Sequence, residues 1–111
     1  MIPSQMLKGT LENCILKVIS RKETYGYEIS EELKKYGFAD ISEGTIYPML
    51  LRLEKKGLIN GERRSSPVGP KRKYFTITLE GIEECKQFYL SWIEMSAAIE
   101  KIFKEEEEKR E

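Results

Sequence analysis

The chain has 111 residues, of which 40% are hydrophobic, and it contains no histidine. This length favours a single domain with a small core, which dimerisation would help to stabilise. The absence of histidine removes the Ser-His, Cys-His and His-metal arrangements, and the sequence has no Gly-rich phosphate loop. We therefore expect a protein that is not an enzyme and that has no cofactor or metal.

The net charge of zero conceals an asymmetry along the chain. Residues 1–78 hold 14 Lys and Arg against 9 Asp and Glu, a net charge of +5, whereas residues 79–111 hold 5 against 10, a net charge of −5. A basic first part and an acidic second part are typical of a protein whose first part meets a polyanion.

Three helices are predicted in the first 57 residues from apolar positions that recur every three or four residues. The first runs from Ser4, as its cap, to Lys22. The second begins at Thr24 and is stopped by Gly37, and the third begins at Ser42 and is stopped by Gly57. The inner face of the third helix consists of Ile46, Leu50 and Leu53, with Met49 as a further candidate. Three such helices with short connectors match a helix-turn-helix core.

After Gly57 the pattern changes from helical to alternating. Two strands are predicted, Leu58 to Arg64 and Lys71 to Thr78, on either side of the turn residues 65–70. A hairpin that directly follows a three-helix core is typical of a wing.

The last predicted element is a long helix that starts near Thr78, as its cap, and ends at about Phe103. Residues 104–111 are expected to form a frayed, solvated tail. Apolar residues spaced 3, 4, 3, 4 and 3 apart form a heptad seam that favours self-association, while part of the apolar stripe packs on the chain's own first helix. The seam consists of Cys85, Phe88, Trp92, Met95, Ile99 and Ile102.

Cys14 and Cys85 are far apart in sequence, and both lie in apolar helical patterns. Two buried thiols in a reducing compartment are the simpler interpretation, and a redox-sensing pair is the alternative. The start of the chain lacks the pattern of a signal peptide, and the apolar runs are too short to span a membrane. We therefore expect a cytoplasmic protein that has no membrane partner.

Three segments carry a specific resemblance: TYGYEISEELKKYG, ISEGTIYPMLLRLEKKGLI and GPKRKYFTITLEG, which occur in this order between Leu7 and Gly81. Together they resemble the PadR family of winged-helix transcriptional regulators. The resemblance implies a mainly α fold with a small β-hairpin (α+β), in which a three-helix core and a two-stranded wing form a DNA-binding domain in residues 1–78. Residues 79–111 would form the C-terminal dimerisation helix and the acidic tail. This single-helix end is similar to the smaller branch of the family, and the family mostly represses transcription.

The start of the third helix supplies the first candidates for DNA contact, because a recognition helix enters the major groove with its N-terminal residues nearest the base edges. These candidates are Ser42, Gly44, Thr45 and Tyr47. Arg52 lies further along and could reach a phosphate, or it could form a surface ion pair with a neighbouring Glu. Pro48 either aims Tyr47 outward or is merely tolerated as a packing residue.

Further DNA contacts are expected outside the recognition helix. Tyr25 and Tyr27 lie at the start of the second predicted helix, and one of the two is expected to be buried. Lys71 and Arg72 in the wing could follow the minor groove or its phosphates, and Lys8 could add a phosphate contact. Of the adjacent arginines at positions 63 and 64, only one is expected to face DNA. A two-fold dimer would require double-stranded DNA with an inverted repeat, its half-sites about one helical turn apart.

Trp92 is the candidate for binding a small molecule. In the multidrug-sensing members that the chain resembles, one Trp per subunit faces its symmetry mate and stacks on flat aromatic drugs. Here Phe88, Met95 and Ser96 flank the corresponding Trp92. By the same resemblance the first helix supplies the opposite wall through Met6, Gly9, Glu12 and Asn13.

This sequence departs from those members at Ser96, because they carry an acidic residue one turn after the Trp. The departure weakens the case for a cationic ligand, although Glu12 could supply a negative charge. The alternative is that Trp92 fills the dimer core and binds no ligand. A winged-helix module that contacts protein instead of DNA is a further alternative, against which the basic wing and the start of the third helix argue.

Overall fold

The computed structural model describes the backbone of residues 2–110 and the side chains of residues 2–105. The elements are α1 (Ser4–Leu7), α2 (Leu11–Arg21), β1 (Thr24–Tyr25), α3 (Gly26–Lys35), α4 (Glu43–Lys55), β2 (Ile59–Arg64), β3 (Arg72–Ile77) and α5 (Leu79–Arg110). The strands form one antiparallel sheet in the order β1-β3-β2. The fold is therefore mostly helical with a small sheet, as the sequence predicts, and it has one strand more than expected.

One hydrophobic core lies between α2, α3, α4 and the sheet. The predicted inner face of α4 is confirmed, since Ile46, Leu50 and Leu53 are buried. The remaining buried apolar residues are Leu11, Ile15, Leu16, Val18, Ile19, Ile29, Leu33, Ile41, Ile59 and Phe75. Burial of each such large side chain stabilises the fold by about 1.5–3 kcal/mol.

The prediction of one continuous helix from Ser4 to Lys22 is wrong. The chain forms a short helix, α1, then a turn at residues 8–10, which we call the elbow, and then α2. Gly9 has a φ of 81° in the elbow, which is a left-handed conformation that glycine adopts without strain. The Thr10 hydroxyl donates to the carbonyl of Leu7 at 2.9 Å. Ser4 is not the cap, because Pro3 occupies that position and provides no side-chain bond.

The predicted start of the second helix at Thr24 is also wrong. Thr24 and Tyr25 form strand β1, which pairs with β3 through Phe75 and Tyr74 respectively, and α3 begins only at Gly26. The expected two-stranded hairpin is thus part of a three-stranded sheet. A strand of two residues is too short to produce an alternating pattern, so the sequence carries no local signal for it.

Ser42 caps α4 as predicted, since its hydroxyl accepts a hydrogen bond from the backbone N–H of Thr45 at 3.4 Å. The helix continues through Pro48 to Lys55. Strands β2 and β3 pair from Ile59 opposite Ile77 to Arg64 opposite Arg72, and together with the turn between them they form the wing.

Helix α5 begins where predicted, since the Thr78 hydroxyl accepts from the backbone N–H of Gly81 at 3.0 Å. A Cβ at Gly81 would overlap the carbonyl oxygen of Leu58, so α5 packs closely on the chain between α4 and β2. The predicted end near Phe103 is wrong, because the helix continues to Arg110. The side chains of residues 106–111, which belong to the predicted solvated tail, lie outside the described residues.

Candidate nucleic-acid interface

The N-terminus of α4 opens on a groove of about 420 Å³ between α3, α4 and β3. The lining of the groove includes Gly44, Tyr47 and Arg72. Ser42 and Thr45 are exposed at the same end of α4. A Cβ at Gly44 would lie 3.6 Å from the Ser42 hydroxyl, so this surface has room for a side chain and glycine leaves it open for close approach.

Pro48 interrupts the hydrogen bonding of α4 and is itself exposed. Proline removes the bond that the carbonyl of Gly44 would otherwise accept. Its neighbour Tyr47 is 44% exposed and lines the groove. Because Pro48 is not buried, the geometry favours the interpretation in which it fixes the turn that carries Tyr47 outward over one in which it packs.

Two arginines and two tyrosines form a continuous stack on one face of the sheet. The guanidinium of Arg72 lies 4.7 Å from the ring centroid of Tyr25, whose ring lies 5.3 Å from that of Tyr74. The guanidinium of Arg64 lies 5.0 Å from the Tyr74 ring. Cation–π contacts of this kind hold an arginine in place without neutralising its charge. Tyr74 was placed by the alternating pattern of the second predicted wing strand, but no local signal in the sequence indicates its contacts with Tyr25 and Arg64.

Ion pairs divide the basic residues of the wing into two groups. Arg64 pairs with Glu23 and Glu62, and the Lys73 ammonium lies 2.7 Å from Glu54. Within the described side chains, the other three have no acidic partner. These three uncompensated cations are Arg63, Lys71 and Arg72.

Arg52 forms an ion pair, which the sequence left as an alternative, but its partner is a distant glutamate and not a neighbouring one. Its Nε and Nη2 atoms lie 2.8 and 2.7 Å from Oε1 of Glu12, and the Lys56 ammonium lies 3.8 Å from Oε2 of the same carboxylate. Glu12 is 40 residues away from Arg52 in sequence, so no local signal could have predicted the pair. Glu12, a candidate for the wall of a ligand site, is therefore bound to the end of α4.

The two tyrosines near the start of α3 differ from the prediction, since neither is buried. Tyr25 is half-buried in the stack described above, and Tyr27 is 54% exposed. Lys8 is exposed in the elbow. It lines a cavity of about 300 Å³ together with Thr45 and Arg52 of α4.

The residues predicted to bind a small molecule do not converge within one protomer. Gly9 and Glu12 line the cavity beside α4. Phe88 instead lines a separate cavity of about 580 Å³ between α2 and α5, which does not include Trp92. Asn13 contributes to both cavities, and its buried side-chain oxygen accepts no hydrogen bond from any residue that the structure describes.

The other ligand candidates are largely exposed. Met6, Trp92 and Met95 present much of their surface to solvent. The hydroxyl of Ser96, in contrast, donates to the carbonyl of Ile93 within α5. Ser96 thus already has an acceptor for its proton, and its oxygen can still accept a hydrogen bond from another group.

Cys14 and Cys85 meet between α2 and α5 and line the same cavity. The Cys85 thiol donates to the carbonyl of Asn13 at 3.6 Å, so the first residue of the predicted dimer seam faces its own α2. Burial raises the pKa of both thiols above the usual value. A raised pKa lowers the reactive thiolate fraction at neutral pH, which favours the interpretation of packed thiols over a redox-sensing pair.

The three core helices, the basic wing and the long trailing helix together define a winged-helix protein. No group of three or more His, Cys, Asp or Glu residues that could hold a metal ion occurs in the part of the chain that the structure describes. Over the same residues, no helix combines the length and hydropathy that crossing a membrane requires.

Residues 15–87 match the model of the transcriptional regulator PadR-like family. The chain belongs to this family, and the resemblance found in the sequence is confirmed. The protein is therefore a transcriptional regulator and not an enzyme.

Similar proteins and solved structures match most of this chain. A PadR-like transcriptional regulator from Bacillus cereus has a crystal structure with 50% identity and a TM-score of 0.78, which covers 89% of this chain and 96% of its own. An uncharacterized protein of Lysinibacillus sphaericus is 35% identical over 102 residues, which are 90% of this chain and 94% of the relative. Bacillus subtilis PadR, solved in complex with operator DNA, has 25% identity and a TM-score of 0.67, and the match covers 73% of this chain and 47% of that one.

Proposed function

We propose that this regulator is a homodimeric repressor that binds operator DNA through the N-terminus of α4 and the wing, and that a flat aromatic molecule at the dimer interface releases it. The observation that carries the DNA-binding part is the set of three cations on the wing that have no acidic partner among the described side chains. These cations lie on the wing, whose strand β3 lines the groove at the exposed N-terminus of α4.

The N-terminus of α4 has the features of a helix that reads the major groove. Thr45 and Tyr47 are exposed there and can reach base edges or phosphates, while Gly44 leaves room for a sugar-phosphate strand. The backbone N–H groups of a helix N-terminus attract phosphate. Among the described residues the Ser42 hydroxyl accepts only from Thr45, so other N–H groups at this end stay available.

The wing supplies the charge that a phosphate backbone attracts. Arg72 is held by the ring of Tyr25 and keeps its N–H groups available, and Lys71 lies next to it on the turn. Arg64 lies on the same face of the sheet as Arg72, but its guanidinium is occupied by Glu23 and Glu62. Arg63 lies on the opposite face and has no acidic partner among the described side chains. Binding to operator DNA is supported by Bacillus subtilis PadR, which shares the fold of this chain and was solved in complex with operator DNA.

The homodimer is supported by the surface of α5 beyond Phe88. All eight large apolar side chains between residues 89 and 105 are 42% to 68% exposed. An isolated protomer rarely leaves so much contiguous apolar surface in water. We propose that the a/d positions Phe88, Trp92, Met95, Ile99 and Ile102 form the centre of the interface. Apolar residues on other faces of α5, such as Leu90 and Phe103, would contact further elements of the partner.

The ligand site would form where two copies of Trp92 approach each other across this interface. Two indole rings that flank a gap suit a flat aromatic molecule. A preference for cationic molecules is not expected, because Ser96 replaces the acidic residue and Glu12 is already paired with Arg52.

The DNA-binding part is tested by fluorescence anisotropy with a labelled duplex from the region upstream of the protein's own gene. Affinity should fall as salt rises, with a slope of about 0.9 log units per neutralised phosphate. The double variant Lys71→Ala/Arg72→Ala should flatten this slope by up to about 1.8. The control is Lys35→Ala, which removes a cation that is paired with Glu32 on α3.

An unchanged slope in the double variant would remove the wing from the contact surface. A wild-type protein that binds no duplex at any salt concentration would instead favour a role in protein contact. Repression itself is tested by transcription of a reporter behind the same upstream region, with and without the protein.

Ligand release is tested by titrating the protein with planar aromatic compounds of different charge, because Trp92 is the sole tryptophan and its fluorescence reports directly on the interface. We expect saturable quenching by at least one compound, together with loss of the anisotropy signal from bound DNA. If the whole series leaves the fluorescence unchanged, Trp92 is a core residue of the dimer and the regulator works without such a ligand.

A further inference from the structure

The ion pair between Glu12 and Arg52 joins two elements that otherwise serve different purposes. Glu12 lies in the first turn of α2, whereas Arg52 and Lys56 lie at the end of α4, the recognition helix. The Glu12 carboxylate accepts two hydrogen bonds from Arg52, at 2.7 and 2.8 Å, and it is also within 3.8 Å of Lys56. One carboxylate thus holds two cations of the DNA-binding helix.

Arg52 lies on the same face of α4 as Thr45. The two residues are seven positions apart, which places them on one side of a helix and about 10 Å from each other along its axis. Both line the cavity beside the elbow, together with Lys8. The long side chain of Arg52 is 54% exposed, so the guanidinium can reach a phosphate beside the groove that α4 enters.

The Glu12 carboxylate resembles a phosphate in the way it binds arginine. A guanidinium offers its Nε and Nη2 hydrogens as a fork, which suits the oxygens of carboxylate and phosphate alike. The same edge of Arg52 cannot serve both acceptors at once. Glu12 is only 23% exposed while both cations are more than half exposed, so the acid is fixed and the cations are the partners that can turn toward DNA.

We propose that Glu12 is an affinity-determining residue, which competes with DNA phosphate for Arg52 and Lys56 and so limits the strength of DNA binding. The inference rests on the proposed DNA-binding function. It adds to that function Glu12, a residue that does not itself contact DNA. Glu12 keeps the charge of α4 partly neutralised, whereas Arg63, Lys71 and Arg72 of the wing have no acidic partner among the described side chains.

The test is the variant Glu12→Gln in the salt-dependent anisotropy assay, with a duplex of unrelated sequence as well as the upstream region. Affinity should rise about fivefold, because a partly exposed pair of this kind is weak and its loss releases a comparable free energy. The salt slope should steepen by about 0.9 for each cation that is released. Glu31→Gln is the matched control, since it also removes one negative charge and breaks a pair, with Lys34 on α3.

Arg52→Ala identifies the cation. In the wild-type background this substitution should change the affinity and slope little, but in the Glu12→Gln background it should remove most of the gain, so the two effects are not additive. Glu12→Ala should reproduce Glu12→Gln, and thermal unfolding of each variant checks that the fold is retained.

The outcomes separate this inference from the proposed function. If wild-type protein shows no salt-dependent binding to either duplex, the proposed function itself fails. If the wild type binds but Glu12→Gln matches Glu31→Gln, or loses affinity, Glu12 does not compete with phosphate and the inference is wrong. A gain that persists when Arg52 is removed overturns the assignment of the competing cation.

Discussion

The N-terminal part of the chain and the distal half of α5 differ in the burial of their apolar residues. In the first part, 13 apolar side chains are buried in one cluster that involves α2, α3, α4 and the sheet. In residues 89–105 every large apolar side chain is exposed, although the helix is regular. The first part thus has its own core. The distal half of α5 is as rich in large apolar residues as a core, but no other element of the chain covers them among the described residues.

The comparison teaches that helical periodicity by itself does not indicate what a helix packs against. Both α4 and α5 have apolar residues at helical spacing. The inner apolar residues of α4 are buried within the chain itself. A helix with apolar residues on several faces is stable in water when other elements cover it. The contrast therefore predicts that substitutions in the two regions affect different measurements.

The largest effect is expected from Leu50→Ala, which opens a cavity in the core. Leu50 has no exposed surface, and such substitutions cost about 2–5 kcal/mol of unfolding free energy. The control is the next residue, Leu51→Ala, since Leu51 is 45% exposed and its loss should cost less than about 0.5 kcal/mol. Both are measured by urea denaturation at one protein concentration. Equal losses would mean that Leu51 is covered in the assembled protein.

Ile99→Lys should affect assembly. Placing an ammonium group in an apolar interface costs several kcal/mol, so we expect dimer dissociation to become at least about 100-fold more favourable. Sedimentation equilibrium gives the dissociation constant. The control is Glu100→Gln, which alters an exposed pair with Lys104 on another face of the same helix. A variant that stays fully dimeric would exclude Ile99 from the interface.

The smallest of the three effects is expected at the junction between the two regions. Gly81→Ala introduces a Cβ that overlaps the carbonyl oxygen of Leu58, and we expect a loss of about 1–3 kcal/mol. Gly44→Ala is the control, because a Cβ there meets only the Ser42 hydroxyl at 3.6 Å. It should unfold at the same temperature as the wild type or slightly above. Thermal unfolding followed by circular dichroism distinguishes the two, and an unaffected Gly81→Ala would mean that α5 can shift away from Leu58.

Local sequence signals correctly predicted the features that depend on neighbouring residues. The caps at Ser42 and Thr78 and the buried face of α4 agree with the predictions, because each depends on residues within a few positions of one another. Two of the errors occurred where a long-range partner or a single glycine decides the backbone. Strand β1 exists because β3 pairs with it, and the break before α2 depends on the left-handed conformation of Gly9.

The candidate site likewise has features that the sequence predicts and features that depend on packing. Sequence reasoning found the exposed start of α4 and the basic wing, since exposure and charge follow from residue type and periodicity. It could not separate the free cations from the paired ones. Arg64 and Lys73 are neutralised by residues from β2, α4 and the segment before β1, and Arg52 by Glu12. These partners become neighbours only when the helices and the sheet pack together.

The sequence by itself determined that this protein has a winged-helix core, a basic wing and a long apolar helix, because periodicity, caps and family motifs are properties of neighbouring residues. Only the tertiary structure decided which charges remain available to bind. An ion pair depends on distances of a few ångströms between atoms, and these distances are set by how distant segments pack. For the same reason, Cys85 was assigned by its spacing to an outer seam, but packing turned it toward α2.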